Sequence, residues 1–140
     1  MKTITPPPLQ SGDMIGIFAP SGRVERDWVE RGVAALQGLG FRVKVHPQTF
    51  ATLHQSAGTE KQKIAALHEL WADPDVKAII AARGLNRAGW MLEGIDYDLI
   101  RRNPKIYMGY SDSTALLLAL NAKAGLVTYH GHVLKNFSKE

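Results

Sequence analysis

The chain has 140 residues, of which 45% are hydrophobic and 21% are charged, as expected of one globular domain with an apolar core. It contains no cysteine, which excludes disulfides, thiolate metal sites and a cysteine nucleophile. Its 17 basic and 13 acidic residues give a formal net charge of +4 and are scattered along the chain, without the dense basic stripe of a nucleic-acid-binding surface.

The N-terminal residues 1–12 form a lead-in with three consecutive prolines, which we expect to be extended. They lack the apolar core of a secretory signal, and no window of the chain approaches the roughly 20 apolar residues that a membrane span needs. We therefore predict a cytoplasmic protein, folded as a single domain over residues 1–140, with neither a membrane nor a nucleic acid as its partner.

The first half of the chain alternates predicted strands and helices. Residues 14–19 are an unbroken apolar run, typical of a strand buried on both faces of a parallel sheet. A helical pattern follows and ends at Gly40. Residues 41–45 alternate apolar and basic side chains, which indicates a strand nearer the edge of the sheet, and the polar segment 46–58 is predicted as a loop.

A second helix is predicted from its capping signals. Thr59 and Gln62 have the spacing of a capping box, and the Asp73-Pro74 pair ends the pattern. The apolar stripe of this helix consists of Ile64, Leu67, Leu70 and Trp71. Residues 76–82 are then a third buried strand.

The second half continues the alternation. Its predicted helices span residues 87–92, 98–102 and 113–123. Its predicted strands are residues 106–108 and 126–129. The last helix is apolar nearly all round, so we expect it to be buried at the centre of the domain, and Gly125 ends it.

This alternation predicts an α/β fold with a mostly parallel sheet flanked by helices, as in Rossmann and flavodoxin-like domains. In such sheets the ligand site lies outside the carboxyl ends of the strands. Three loops occupy that position, namely Pro20–Gly22, Arg83–Arg87 and Gly109–Asp112.

The segment Gly109–Ser113 has the pattern of a nucleophile elbow between a strand and a helix. Such a turn holds Ser111 in a strained backbone conformation and needs small residues two positions away, which Gly109 and Ser113 supply. The helix that follows directs free N–H groups at the place where an oxyanion would form. The alternative is that Ser111 or Asp112 is only a helix cap.

A serine hydroxyl needs a base to become a good nucleophile. His130 and His132 follow the last predicted strand, but alternate residues face opposite ways and no third ligand is evident, so a metal site is not favoured. Structural or surface roles are the favoured interpretation for both. His68 lies next to the apolar stripe of the second helix, where a packing or surface role is favoured, and His46 and His54 flank a loop without a specific signal.

Arg83 and Gly84 stand at the end of the third strand, where the arginine could receive a substrate carboxylate through a bidentate pair. A solvated arginine is an equal alternative. Ser21 could also contact a ligand, although a plain turn is favoured there. Asp96 and Asp98 are better explained by a helix cap than by a catalytic pair, and no glycine-rich nucleotide fingerprint is present.

Several of these segments together resemble the L,D-carboxypeptidases, the muramoyltetrapeptide carboxypeptidases and related microcin C immunity peptidases. The resemblance runs in order through nearly the whole chain and is most specific in its last motif. Its segments are residues 12–22, 38–43, 73–79, 96–100, 103–105 and 109–116.

The resemblance implies that Ser111 is the nucleophile, and that an oxyanion hole is made by the backbone N–H of Asp112 and one from the turn after the third strand, at Leu85. It implies neither a metal nor another cofactor. The implied partner is a cytoplasmic murein peptide from which a terminal D-alanine is released.

Two departures from the family pattern stand out. The family's Arg-Gly-Gly-aromatic-Gly turn reads Arg83-Gly84-Leu85-Asn86-Arg87 here. If Leu85 and Arg87 must adopt positive φ, each is strained by about 1–2 kcal/mol, and whether this reshapes or abolishes the oxyanion site stays open.

The family's catalytic Glu and His belong to a C-terminal domain that residues 1–140 do not contain. We therefore expect this chain to be the N-terminal domain of such an enzyme, from a truncated gene product or a shortened chain, with negligible hydrolysis by itself. The alternative is a non-catalytic module that binds a peptide through its cleft or forms a homodimer.

Overall fold

The strands of the domain all run parallel in one sheet. They are β1 (Met14–Phe18), β2 (Arg42–Val45), β3 (Val76–Ala81), β4 (Ile106–Gly109) and β5 (Tyr129–His130). The computed structural model describes residues 1–139. The strand order is β2-β1-β3-β4-β5, the flavodoxin-like order, whose switch point lies between β1 and β3. The predicted fold class is confirmed.

Helices cover both faces of the sheet. The α-helices are α1 (Arg26–Gly38), α2 (Glu60–Ala72), α3 (Tyr97–Arg102), α4 (Thr114–Ala124) and α5 (Leu134–Phe137). The 3-10 helices are Pro47–Phe50, Ala88–Gly94 and Ser111–Ser113. The sequence did not predict the Pro47–Phe50 helix or α5, and the helix predicted at 87–92 is a 3-10 helix that starts after Arg87.

Each face has its own apolar core. On one face α2, α3 and α4 pack against the sheet around the fully buried Trp71 and Tyr107. On the other face α1 and α5 pack around Trp28 and Leu134. β1 and β3 are buried on both faces, whereas β2 alternates exposed and half-buried residues at the sheet edge, as its sequence pattern predicted.

The capping box of α2 is confirmed in full. The Thr59 hydroxyl accepts from the backbone N–H of Gln62 at 3.2 Å, and the Gln62 side chain accepts from the backbone N–H of Thr59 at 2.8 Å. Asp96 likewise caps α3, because its carboxylate accepts from the N–H of Leu99 at 3.0 Å.

The last predicted strand was misplaced. The strand lies at Tyr129–His130, and Leu126 instead forms a parallel bridge with Ile4 of the N-terminal lead-in. Backbone N–H groups of Ile4 and Val127 make the bonds of this bridge at 2.7 and 2.8 Å. The buried character of α4 also has an exception, since Leu118 points away from the sheet and is 65% exposed.

Among residues 1–139, every helix is too short or too polar to cross a membrane.

Candidate active site at the carboxyl ends of the strands

The loops that follow β1, β3 and β4 meet at the carboxyl edge of the sheet. The N–H of Gly22 donates to the carbonyl of Gly84 at 3.0 Å, which joins the first two loops. Gly84 in turn faces Ser111, because a Cβ on Gly84 would lie only 3.0 Å from both Cβ and Oγ of Ser111. The absence of a side chain at Gly84 therefore permits this close approach.

Ser111 occupies a sharp turn between β4 and the helical segment that leads into α4. Its φ is +59°, a left-handed conformation that is uncommon for a residue with a side chain, and the residue is exposed. Gly109 must be small, since a Cβ there would lie 2.8 Å from the hydroxyl of Ser113. Ser113 itself is buried and shares a hydrogen bond of 2.8 Å with the hydroxyl of Tyr107, whose pKa is raised by burial.

Two backbone donors in the loops that meet at Ser111 have no protein acceptor among residues 1–139. Within residues 1–139, neither the N–H of Asp112 nor that of Leu85 donates to another protein group. A Cβ on Gly84 would lie 3.7 Å from the nitrogen of Asp112, so this nitrogen also borders the contact between Gly84 and Ser111. Free N–H groups at the start of a helix favour an anion.

The turn Arg83–Arg87 has the positive φ angles that the sequence predicted as a source of strain. Leu85 has a φ of +112° and Arg87 a φ of +79°. The Leu85 side chain packs directly over Gly22, where a Cβ would lie 2.8 Å from the Cβ of Leu85. The guanidinium of Arg87 stacks on Trp90 at 4.6 Å from the ring centroid. Leu85 remains 47% exposed at the rim of the site.

The carboxylate of Asp112 makes contacts that the sequence did not predict. Its Oδ2 accepts from the Ser21 hydroxyl at 2.5 Å and from the N–H of Ala88 at 2.9 Å. Ser21 is fully buried, so its hydroxyl is directed at Asp112, and a contact of Ser21 with substrate stays a prediction.

The fully buried Lys63 was also missed. Its Nζ donates to the carbonyl of Ser21 at 3.0 Å, and burial lowers its pKa. A signal existed, because Lys63 stands four and seven residues before Leu67 and Leu70 and so lies on the buried face of α2.

Arg83 lies at the end of β3 with its capacity to donate hydrogen bonds mostly unused. Its Nη1 donates to the carbonyl of Arg23 at 3.3 Å, and its Nε is buried with no acceptor among residues 1–139. The Nε of Arg83 is therefore a buried donor with no protein partner in the described part of the chain. Binding of a substrate carboxylate by Arg83 and Gly84 stays a prediction.

The histidines do not form a hydrogen bond with Ser111 within residues 1–139. His130 lies beside Gly109 in the parallel pairing of β5 with β4 and stacks edge-on with Tyr110. His132 packs against Phe137. Both line an open depression of about 460 Å³ next to the site. Among the described residues, no three His, Asp or Glu side chains are grouped to hold a metal.

The other histidines lie in α2 and in the segment between β2 and α2. His46 pairs with Glu69, and His68 accepts from the N–H of Asp96 at 2.9 Å. His54 is a loop residue with a φ of +55°.

Comparison with known proteins decides the family. Residues 15–131 match the model of the LD-carboxypeptidase N-terminal domain. The chain belongs to the LD-carboxypeptidase family. Over 129 residues it is 37% identical to the probable murein peptide carboxypeptidase of Bacillus subtilis, covering 92% of this chain and 40% of that protein.

The chain is also similar to MccF and to an MccF-like protein. It is 39% identical to the microcin C7 self-immunity protein MccF of Escherichia coli, covering 91% of this chain and 38% of that protein; MccF has been solved in complex with aspartyl sulfamoyl adenosine. An MccF-like protein from Bacillus anthracis superposes with a TM-score of 0.95 at 36% identity, covering 99% of this chain and 43% of that one.

The chain therefore spans about two-fifths of the length of the LD-carboxypeptidases it matches.

Proposed function

We propose that this chain supplies the nucleophile-bearing N-terminal domain of a serine L,D-carboxypeptidase that releases terminal D-alanine from murein tetrapeptides in the cytoplasm. The observation that carries the proposal is the conformation of Ser111. Ser111 is exposed and has a φ of +59° between β4 and α4, and the adjacent N–H of Asp112 has no acceptor among residues 1–139, which are features of a nucleophile elbow.

In the proposed mechanism the Oγ of Ser111 attacks the carbonyl carbon before the terminal D-amino acid. The serine proton passes to a base, the amide C–N bond breaks, and D-alanine leaves with that proton on its nitrogen. Water then hydrolyses the acyl-enzyme ester. The base comes from residues outside 1–140, as the family resemblance implies, so hydrolysis by this chain alone is expected to be negligible.

The backbone N–H groups of Asp112 and Leu85 would stabilise the oxyanion that forms during attack. A single donor of this kind is worth about 10²–10³ in rate, because it acts on charge that develops only in the transition state. Leu85 can still act as a donor despite its side chain, since its N–H has no acceptor in the described residues 1–139 and the side chain packs over Gly22.

Arg83 is the residue we assign to the terminal carboxylate of the peptide. The Nε of Arg83 has no acceptor among residues 1–139. Arg83 also directly precedes Gly84, which contacts Ser111. A guanidinium and a carboxylate form a bidentate pair of high specificity. The substrate terminus would thus be held beside the bond to be cleaved.

A second candidate function is a non-catalytic module that binds a peptide or self-associates. Four large apolar or aromatic side chains at or near the carboxyl edge of the sheet favour it. They are Leu85, Trp90, Tyr110 and Tyr129, which are between 38% and 66% exposed. A partner surface that covered them would remove apolar area from water.

A chimera that adds the remaining part of an LD-carboxypeptidase to this chain distinguishes the catalytic function from the binding module. Residues 1–139 are joined to the part of the Bacillus subtilis relative that follows its matched region, and release of D-alanine from a murein tetrapeptide is measured. We expect release by this chimera and none by the 140-residue chain. Ser111→Ala is the matched control and should abolish release without changing the fold by circular dichroism.

A folded chimera that releases no D-alanine, or one whose activity survives Ser111→Ala, would overturn the proposed role of Ser111. Tight binding of the tetrapeptide by the 140-residue chain, without turnover in the chimera, would favour the binding module.

A further inference from the structure

We propose that the side chain of Asp112 is a positioning residue that holds the turn Arg83–Ala88 against Ser111. This inference rests on the proposed function, because the position of that turn matters for catalysis only if Ser111 is the nucleophile. The family resemblance concerns the backbone N–H of Asp112. The role of its carboxylate follows from the contacts below.

One carboxylate oxygen joins three loops. Oδ2 of Asp112 accepts from the Ser21 hydroxyl at 2.5 Å and from the backbone N–H of Ala88 at 2.9 Å. Ser21 belongs to the loop after β1, Ala88 begins the 3-10 helix that follows the turn after β3, and Asp112 follows β4. Hydrogen bonds to a charged acceptor are about twice as strong as neutral ones, so this oxygen fixes the three loops more firmly than backbone contacts would.

The backbone of Ser21 is held by two further hydrogen bonds. The Ser21 carbonyl accepts from Lys63 Nζ at 3.0 Å and from the N–H of Ala57 at 3.1 Å. Lys63 and Ser21 are both fully buried. Ser21 therefore presents its hydroxyl to Asp112 from a rigid support.

The turn that Asp112 holds needs such a restraint. Leu85 and Arg87 both have positive φ, at a cost of about 1–2 kcal/mol each. A turn under strain relaxes unless its surroundings hold it. Gly84, which precedes Leu85, accepts a hydrogen bond from the N–H of Gly22. Ala88, which follows Arg87, donates its N–H to Asp112. The two bonds bracket the strained segment and set where the N–H of Leu85 points.

The test follows hydrogen bonding and local environment in the turn, in the 140-residue chain and without substrate. Amide hydrogen exchange is followed by NMR in the wild type and in Asp112→Ala. We expect the Ala88 amide to exchange at least about tenfold faster in the variant, because it loses a bond to a charged acceptor. The amide resonances of residues 84–88 should shift, with Leu85 among the largest changes.

The Leu120 amide, inside α4, reports global unfolding in the same experiment. It separates a positioning role from a general loss of stability. Asp96→Ala is the matched control, since Asp96 also accepts a backbone N–H, at the start of α3. It should leave the exchange of Ala88 and the resonances of residues 84–88 unchanged. Asp112→Asn keeps the shape and one acceptor oxygen, so it should give an intermediate effect and also serves if Asp112→Ala does not fold.

Equal acceleration of Ala88 and Leu120, or unchanged resonances at residues 84–88 in both Asp112 variants, would overturn the inference. Failure of the chimera to release D-alanine would instead count against the proposed function, because the exchange experiment does not depend on turnover.

Discussion

The two edges of the sheet handle backbone strain in opposite ways. At the amino edge, positive φ is carried by glycine at Gly12, Gly40 and Gly125, which precede β1, β2 and β5. At the carboxyl edge, four residues with side chains adopt positive φ, namely His54, Leu85, Arg87 and Ser111. Gly58, just before α2, is the one positive-φ glycine on the carboxyl side among residues 1–139.

This difference indicates where the fold needs only a turn and where it needs a side chain in a particular place. Glycine adopts a left-handed conformation without steric cost and suffices at the amino edge. Strain in residues with side chains is typical of functional sites, where surrounding contacts maintain it. The carboxyl edge has such contacts at Ser111, Leu85 and Asp112.

Each edge also contains a buried lysine. Lys105 donates to the carbonyls of Asp73 and Val76 at 2.5 Å each and joins the end of α2 to the start of β3. Lys63 donates to the Ser21 carbonyl at the other edge. The first lysine connects elements of the scaffold, whereas the second supports a residue that contacts Asp112.

The largest expected effect tests how tightly the serine turn is packed. Gly109→Val should lower the free energy of unfolding by about 3 kcal/mol, because the new side chain enters a filled interior against Ser113. At Gly12, on the amino edge, an added Cβ would meet no atom within 4 Å, so Gly12→Val should cost mainly the strain of its positive φ, about 1 kcal/mol. Urea unfolding measures both, and equal losses would contradict the comparison.

The next effect is the dependence of the free energy of unfolding on pH that Lys105 causes. Burial lowers the pKa of Lys105 from 10.5 to about 8. Between these values the folded state loses the proton first, so the unfolded state binds more protons and stability rises with pH. The wild type should gain about 2 kcal/mol over Lys105→Met between pH 8 and pH 10. Unfolding at both pH values tests this, and a difference that stays constant would contradict it.

The smallest effect tests the strain itself. Leu85→Gly should raise the free energy of unfolding by about 1 kcal/mol, because relief of strain outweighs the entropy of a glycine and the loss of contact with Gly22. Gly40→Ala, at a φ of +97° on the amino edge, should lower it by about 1 kcal/mol. If both substitutions destabilise in urea unfolding, Leu85 contributes more by packing than it costs by strain.

Local patterns in the sequence predicted most of the fold. Apolar runs located β1 and β3, the Thr59 and Gln62 pair located the start of α2, and the altered glycine turn indicated strain at Leu85 and Arg87. The start of β5 was predicted too early in the chain. Leu126 pairs with Ile4, which is far away in the sequence, and so does not belong to the strand that pairs with β4.

The contacts around Asp112 could not be predicted for the same reason. Ser21 and Asp112 are 91 residues apart in the chain, and only the finished sheet brings them together. Helical periodicity could have placed Lys63 on the buried face of α2, but no pattern in the sequence identifies its acceptor, the carbonyl of Ser21.

The most direct test of Ser111 as the nucleophile is covalent labelling of the chimera. The chimera is treated with a fluorophosphonate, which reacts with activated serines, and the adduct is located by peptide mass spectrometry. We predict one adduct, on Ser111, which is absent from Ser111→Ala and weak or absent in the 140-residue chain. An adduct on another serine, or no adduct in a chimera that releases D-alanine, would contradict the assignment of Ser111 as the nucleophile.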